Sequence, residues 1–168
     1  MKPGPKTALI TTVCAIVAFA FGADAPLGKL IWPAKPLHVP PSDNQVLGFV
    51  AFGLVSSVVF GLGVSFLVDG YSLVRRITTS RRDALVAYLS IGWILVSWFP
   101  HDNLHMAVGD QAGGILALLW GFHATLMMAG LNLAFVVLRT ARAKGLQQMS
   151  STNSAAPFKA PRAVAQPR

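Results

Sequence analysis

The stretch from Val46 to Val68 constrains the fold of this chain more than any other feature, because its 23 residues include no charged side chain. About 20 apolar residues in a helix cross the hydrocarbon core of a bilayer, and a helix satisfies its own backbone hydrogen bonds. Three further apolar segments lie at about 7–23, 84–99 and 113–138. Only 12% of the 168 residues are charged, about half the share in a soluble domain. The sequence therefore predicts an all-α integral membrane protein, a bundle of four transmembrane helices.

The first apolar segment has two interpretations. It follows two lysines and ends in Ala23-Asp24-Ala25, the small-x-small pattern of a signal-peptide cleavage site. Pro26 directly follows this pattern and disfavours cleavage, because its ring fixes φ and removes an N–H group. We favour an uncleaved first span, whereas cleavage would leave three.

Basic residues are distributed unevenly over the loops. The N-terminus carries two, the loop after the second segment four and the chain after Leu138 six, while the two other loops share Lys29 and Lys35. The positive-inside rule then predicts an N-in/C-in protein of the cell (plasma or inner) membrane. Its histidine-containing loop, between the third and fourth segments, would face outward, and anionic lipids would contact its cytoplasmic face. The net charge of +8 lies at segment ends and not among aromatic residues, so we expect no nucleic-acid partner.

Residues 1–145 are predicted to form a single transmembrane domain and residues 146–168 a disordered basic cytoplasmic tail, which is rich in Ser, Ala, Pro and Gln. In the second segment Gly53, Ser57 and Gly61 recur every four residues. Such a stripe of small residues lets two helices approach closely in lipid. We favour a contact inside the bundle, and a homo-oligomer or another membrane protein is the alternative partner.

Polar residues are concentrated between the third and fourth segments, in Pro100-His101-Asp102-Asn103-Leu104-His105, and His123 follows inside the fourth segment. Ionisable residues in a membrane are costly and mark functional sites by default. His101 and His105 share one face if their segment is helical. Asp102 or Asn103 could instead cap a helix that begins there.

Three imidazoles and a carboxylate are a suitable ligand set for zinc, copper or iron. The candidate metal ligands are therefore His101, Asp102, His105 and His123, and Asn103 or Asp110 could orient a ring. The segment lacks the glutamate of the zincin motif. Such a site requires residues 101–112 to fold back against the fourth segment, so that the ring nitrogens lie within about 4 Å of one another.

A purely structural interpretation needs no metal. In it, His101 and His105 lie among lipid headgroups, and His123 bonds to a hydroxyl of a neighbouring helix. Four serines are the candidate partners: Ser56, Ser57, Ser90 and Ser97.

The sequence favours this structural interpretation, and with it an accessory or structural membrane subunit that acts through helix contacts. A metal-binding or redox membrane protein is the first alternative, and proton-linked transport of a small solute is the second. Whether the chain is an enzyme stays open at this point. His38, in the Pro-rich loop, is expected to be an ordinary exposed histidine.

Overall fold

The structure is a computed structural model that describes residues 4–23, 25–32, 42–108 and 116–154. These ranges contain no strand and a short 3-10 turn at Gly28–Leu30. Their α-helices are α1 (Pro5–Ala20), α2 (Asp43–Asp69), α3 (Tyr71–Ile77), α4 (Arg81–Val108) and α5 (Leu116–Ser154). α2, α4 and α5 contain stretches long and apolar enough to cross a membrane, whereas α1 is an apolar helix of 16 residues. The all-helical class and three candidate spans are therefore confirmed.

The helices pack as a row in chain order. α1 lies against α2, α2 against α4, and α4 against α5, while the short α3 contacts α2 and α4. Lys6, at the start of α1, lies 3.7 Å from Asp69, where α2 ends. Beyond the other end of α1, the backbone N–H of Ala23 donates to the Oδ1 atom of Asn103, late in α4. The row leaves α5 with α4 as its main neighbour within the described residues.

Gly61 brings α1 and α2 together. A Cβ atom at this position would clash with the carbonyl oxygen of Thr11 and lie 3.1 Å from the backbone nitrogen of Ala15. One turn away, the Thr11 hydroxyl donates to Ser65 Oγ over 3.0 Å. This part of the small-residue stripe packs inside the chain, and an oligomeric partner stays a prediction.

Asp83 ties the start of α4 to α5. Its Oδ1 atom lies 3.3 Å from a guanidinium nitrogen of Arg139, and its side chain is 4% exposed against 55% for Arg139. Its Oδ2 atom is buried without a hydrogen-bond partner among the described residues. The Ser80 hydroxyl accepts from the Asp83 backbone N–H at 3.0 Å and so caps the helix. Arg139, which the sequence predicts only to flank the fourth span, therefore also pairs α5 with the start of α4.

The third apolar segment does not end at residue 99. α4 continues across Pro100 to Val108, so the predicted loop is wrong over residues 100–108, and neither Asp102 nor Asn103 caps a new helix. A proline removes one backbone donor, the one that would reach residue 96, but residues after it can resume helical bonding. The Asn103 side chain stabilises the helix around Pro100 by donating to the carbonyl oxygen of Phe99 over 2.8 Å.

The last helix also exceeds its predicted bounds. α5 extends to Ser154, so the prediction of a disordered tail is wrong for residues 146–154, while residues 155–168 lie outside the described ranges. Alanine, leucine, glutamine and lysine after residue 139 favour a helix even where the chain is polar. Within the apolar part, Leu131 is 71% exposed and Phe135 63%. Such side chains suit contact with lipid.

Candidate metal centre

His101 and His105 lie one turn apart on the same face of α4. Their Nε2 atoms are 3.2 Å apart, and the two rings meet edge to face with centroids 4.6 Å apart. The spacing of four residues predicts this arrangement for any helix. It depends on α4 continuing past Pro100, because a loop would not fix the two rings to one face.

His123 reaches the same point from α5. Its Nε2 atom lies 3.3 Å from the Nε2 atom of His101. The three histidines each offer a ring nitrogen within 4.8 Å of the others, and no carboxylate joins this group among the described residues. The convergence arises from the side-by-side packing of α4 and α5, and so no inward-folding loop is needed over residues 101–108.

The orientation of the His123 ring is fixed by its own helix. Its Nδ1 atom lies 2.9 Å from the carbonyl oxygen of Leu119, one turn earlier. A carbonyl oxygen can only accept, so Nδ1 carries the proton, and in the neutral ring the lone pair is on Nε2. This is the arrangement in which metal-bound histidines are held in proteins, with the second ring nitrogen donating to a carbonyl or carboxylate.

His101 Nε2 cannot make a full hydrogen bond to both neighbouring rings through one N–H group. His101 Nε2 is within 3.3 Å of two other ring nitrogens but carries at most one hydrogen. A cation accepts a lone pair from each of the three nitrogens at once. Two nitrogens bound to zinc at about 2.0–2.1 Å with tetrahedral angles lie roughly 3.3–3.4 Å apart. The two separations at His101, 3.2 and 3.3 Å, are close to that value, whereas the bound that covers all three pairs is 4.8 Å.

Aromatic rings form one wall of the cluster. The ring of Phe122 lies 6.2 Å from that of His101 and stacks on Trp93, with an interplanar angle of 7°. The Trp120 ring lies 5.7 Å from His123. His101 and His123 are half-buried, whereas His105 is exposed. The cluster is therefore sheltered on one side and open on the side of His105.

The other polar residues of the segment lie elsewhere. Asp102 lines a cavity of about 250 Å³ between α1, α2 and α4, and is not among the three residues that converge. Asn103 is buried and joins Phe99 to Ala23, so it orients the end of α4 and not a ring. Asp110 and His38 lie outside the described residues. A metal contact of Asp102 stays a prediction.

Three of the four serines proposed as partners of His123 bond to backbone carbonyls of their own helices. The hydroxyls of Ser56 and Ser57 donate to the carbonyl oxygen of Gly53, and that of Ser97 to Trp93. His123 contacts His101 and Leu119 instead. Sequence reasoning missed Leu119, although its position four residues before a helical histidine is the signal that could have identified it.

Comparison of the chain with protein-family models, with curated proteins and with solved structures gives no match.

Proposed function

We propose that this chain is a multi-pass membrane protein that binds one transition-metal ion through the Nε2 atoms of His101, His105 and His123. The observation that carries the proposal is the pair of Nε2 separations, 3.2 and 3.3 Å, centred on His101. The donor set supports the same metals that the sequence suggests, zinc, copper or iron, because imidazole suits all three.

The Leu119 carbonyl supplies the second argument. Its contact with His123 Nδ1 leaves the Nε2 lone pair directed at the other two rings. A partner of this kind fixes the ring and raises its basicity as a ligand. A histidine that only held two helices together would need one hydrogen bond and no convergence of three rings.

The metal would also join two helices. α5 packs mainly on α4 within the described residues, and the ligands come from both. An ion that binds only the folded protein stabilises it by mass action, by about 4 kcal/mol at a free concentration 1,000 times the Kd. For this reason metal binding takes precedence over the accessory-subunit interpretation, which stays a prediction together with proton-linked transport.

The proposed membrane orientation places the histidines in the outer half of the bilayer, with four spans including α1. Support comes from the basic residues near Asp69 and Asp83: Lys6 pairs with Asp69, Arg139 of α5 pairs with Asp83, and Arg81 begins α4. Cysteines introduced by Lys29→Cys and Thr79→Cys in a Cys14→Ala background test it. An impermeant maleimide applied to intact cells should label position 29 and not position 79, and the reverse pattern would contradict the orientation.

Metal analysis tests the central proposal. The full chain is produced without a polyhistidine tag, purified without chelator and then loaded with the metal. It should carry about one ion per molecule. His101→Ala, His105→Ala and His123→Ala should each weaken binding by more than the 10- to 100-fold typical of losing a residue that only supports a ligand. Thr125→Ala is the matched control, since its hydroxyl bonds within α5 and should leave binding unchanged.

Two outcomes would change this proposal. Metal at background in the wild-type chain after exposure to zinc, copper and iron would overturn it. Loss of metal in Asp102→Asn would show that the carboxylate takes part, and the site would then need four protein ligands.

A further inference from the structure

We infer that the metal ion of the three-histidine site keeps an exchangeable coordination position, which water or a small inorganic anion occupies from the side of His105. This inference rests on the proposed function and names the class of ligand that the site takes. Three features of the cluster support it: the number of its donors, their charge and the exposure of one ring.

The number of donors is the first feature. Zinc and related ions bind four ligands in tetrahedral sites, and sites with three protein ligands complete the shell with water or substrate. Among the described residues, the converging group contains three imidazoles and no carboxylate or thiol. Asp102 lines the cavity on the side of α1 and α2, whereas His101 and His105 meet His123 of α5.

The charge of the donors determines which ligand enters. Imidazoles that bind through a lone pair are neutral, so a divalent ion keeps its full charge of two. Beside apolar rings the local dielectric is lower than in water, and the attraction for an anion is correspondingly stronger. Trp120 and Phe122 lie within about 6 Å of the cluster and carry no anionic group to neutralise the ion.

The exposed ring shows where a ligand enters. His105 is exposed, whereas His101 and His123 are half-buried and Phe122 stands against His101. Among the described residues, the Phe and Trp rings of the cluster contact His101 and His123 and not His105, so a ligand that approaches past His105 meets neither Phe122 nor Trp120.

Cobalt provides the spectroscopic test. The full chain in detergent is loaded with Co(II), whose visible absorption reports coordination number and ligand type, and is titrated with azide. Saturable change in the cobalt bands is expected, at azide concentrations below those at which free Co(II) responds. Thr125→Ala is the control and should respond in the same way.

The outcomes separate this inference from the proposed function. If Co(II) binds the wild-type chain in a tetrahedral environment but its bands ignore azide, the exchangeable position is excluded while the metal site stands. If the wild type ignores azide but Asp110→Asn or Asp102→Asn responds, a protein carboxylate fills the position and the inference is wrong. If the chain binds neither Co(II) nor zinc, copper or iron, both the inference and the proposed function fail.

Discussion

The Nδ1 atom of His123 lies 2.9 Å from the carbonyl oxygen of Leu119, one helical turn earlier in α5. Because a carbonyl cannot donate, this contact assigns the ring proton to Nδ1 and the lone pair to Nε2. The same Nε2 atom lies 3.3 Å from His101 on α4. One backbone carbonyl thereby directs the lone pair of His123 towards a ring on the neighbouring helix.

The first prediction concerns this tautomer. In ¹⁵N-histidine-labelled protein at neutral pH, the His123 ring should show a protonated Nδ1 and an unprotonated Nε2. The spectrum of His123→Gln identifies the resonances by their disappearance. A ring protonated on Nε2 alone would contradict the contact with Leu119 and would remove a ligand from the site.

The second prediction concerns pH. A metal ion binds the unprotonated imidazole, so protons compete with it for the lone pair. Affinity for zinc should therefore fall as the pH is lowered from about 7.5 to about 5.5, the range in which histidine gains its charge. The dissociation constant is measured with an indicator calibrated at each pH. An affinity independent of pH over this range would argue against a site made of histidines.

The third prediction concerns the ion pair between Asp83 and Arg139. Arg139→Ala leaves a carboxylate that is 4% exposed without its partner, and should destabilise the fold by about 3 kcal/mol. Asp83→Asn leaves a half-exposed guanidinium that water can solvate, and should cost only about 1 kcal/mol. Unfolding in mixed detergent micelles gives both values.

A double variant provides the control for this pair. Asp83→Asn combined with Arg139→Ala should recover much of the stability lost by Arg139→Ala alone, since no buried charge then remains. Equal losses in the two single variants would show that the burial of Asp83 does not govern the energetics.

The fourth prediction compares two glycines of α2. Gly61→Ala places a Cβ against the backbone of α1, and overpacking of this kind costs about 1–3 kcal/mol. Gly48→Ala meets nothing within 4 Å and should be neutral or stabilising by up to about 1 kcal/mol, because alanine favours the helix. The free energies of unfolding are measured in the same detergent. If both changes are neutral, the close contact of α1 with α2 is absent in the protein.

Much of the fold follows from hydropathy. The charge-free stretch of α2 predicts a long helix, and its observed bounds, Asp43 and Asp69, lie only a few residues outside the prediction. The end of α4 could not be predicted in the same way. Pro100 followed by Asp102 and Asn103 is typical of a helix start, and the sequence does not reveal the contact of Asn103 with Ala23 that accompanies the continuous helix.

The candidate site was predictable in part. The spacing of His101 and His105 already implies a shared face, and the apolar setting of His123 implies a partner. Which partner it has depends on the register of α5 against α4, and that register is set by packing over the whole interface. Sequence reasoning therefore named the three histidines that converge, but it preferred a serine as the partner of His123; a metal contact of Asp102 stays a prediction.

X-ray absorption at the metal edge of the zinc-loaded full chain tests the central claim most directly, because it counts the ligands of the bound ion. We predict about three imidazole nitrogens at about 2.0 Å, and the characteristic scattering of histidine rings should weaken in His123→Ala. A first shell made of oxygen alone, or a shell unchanged by His123→Ala, would contradict the three-histidine site.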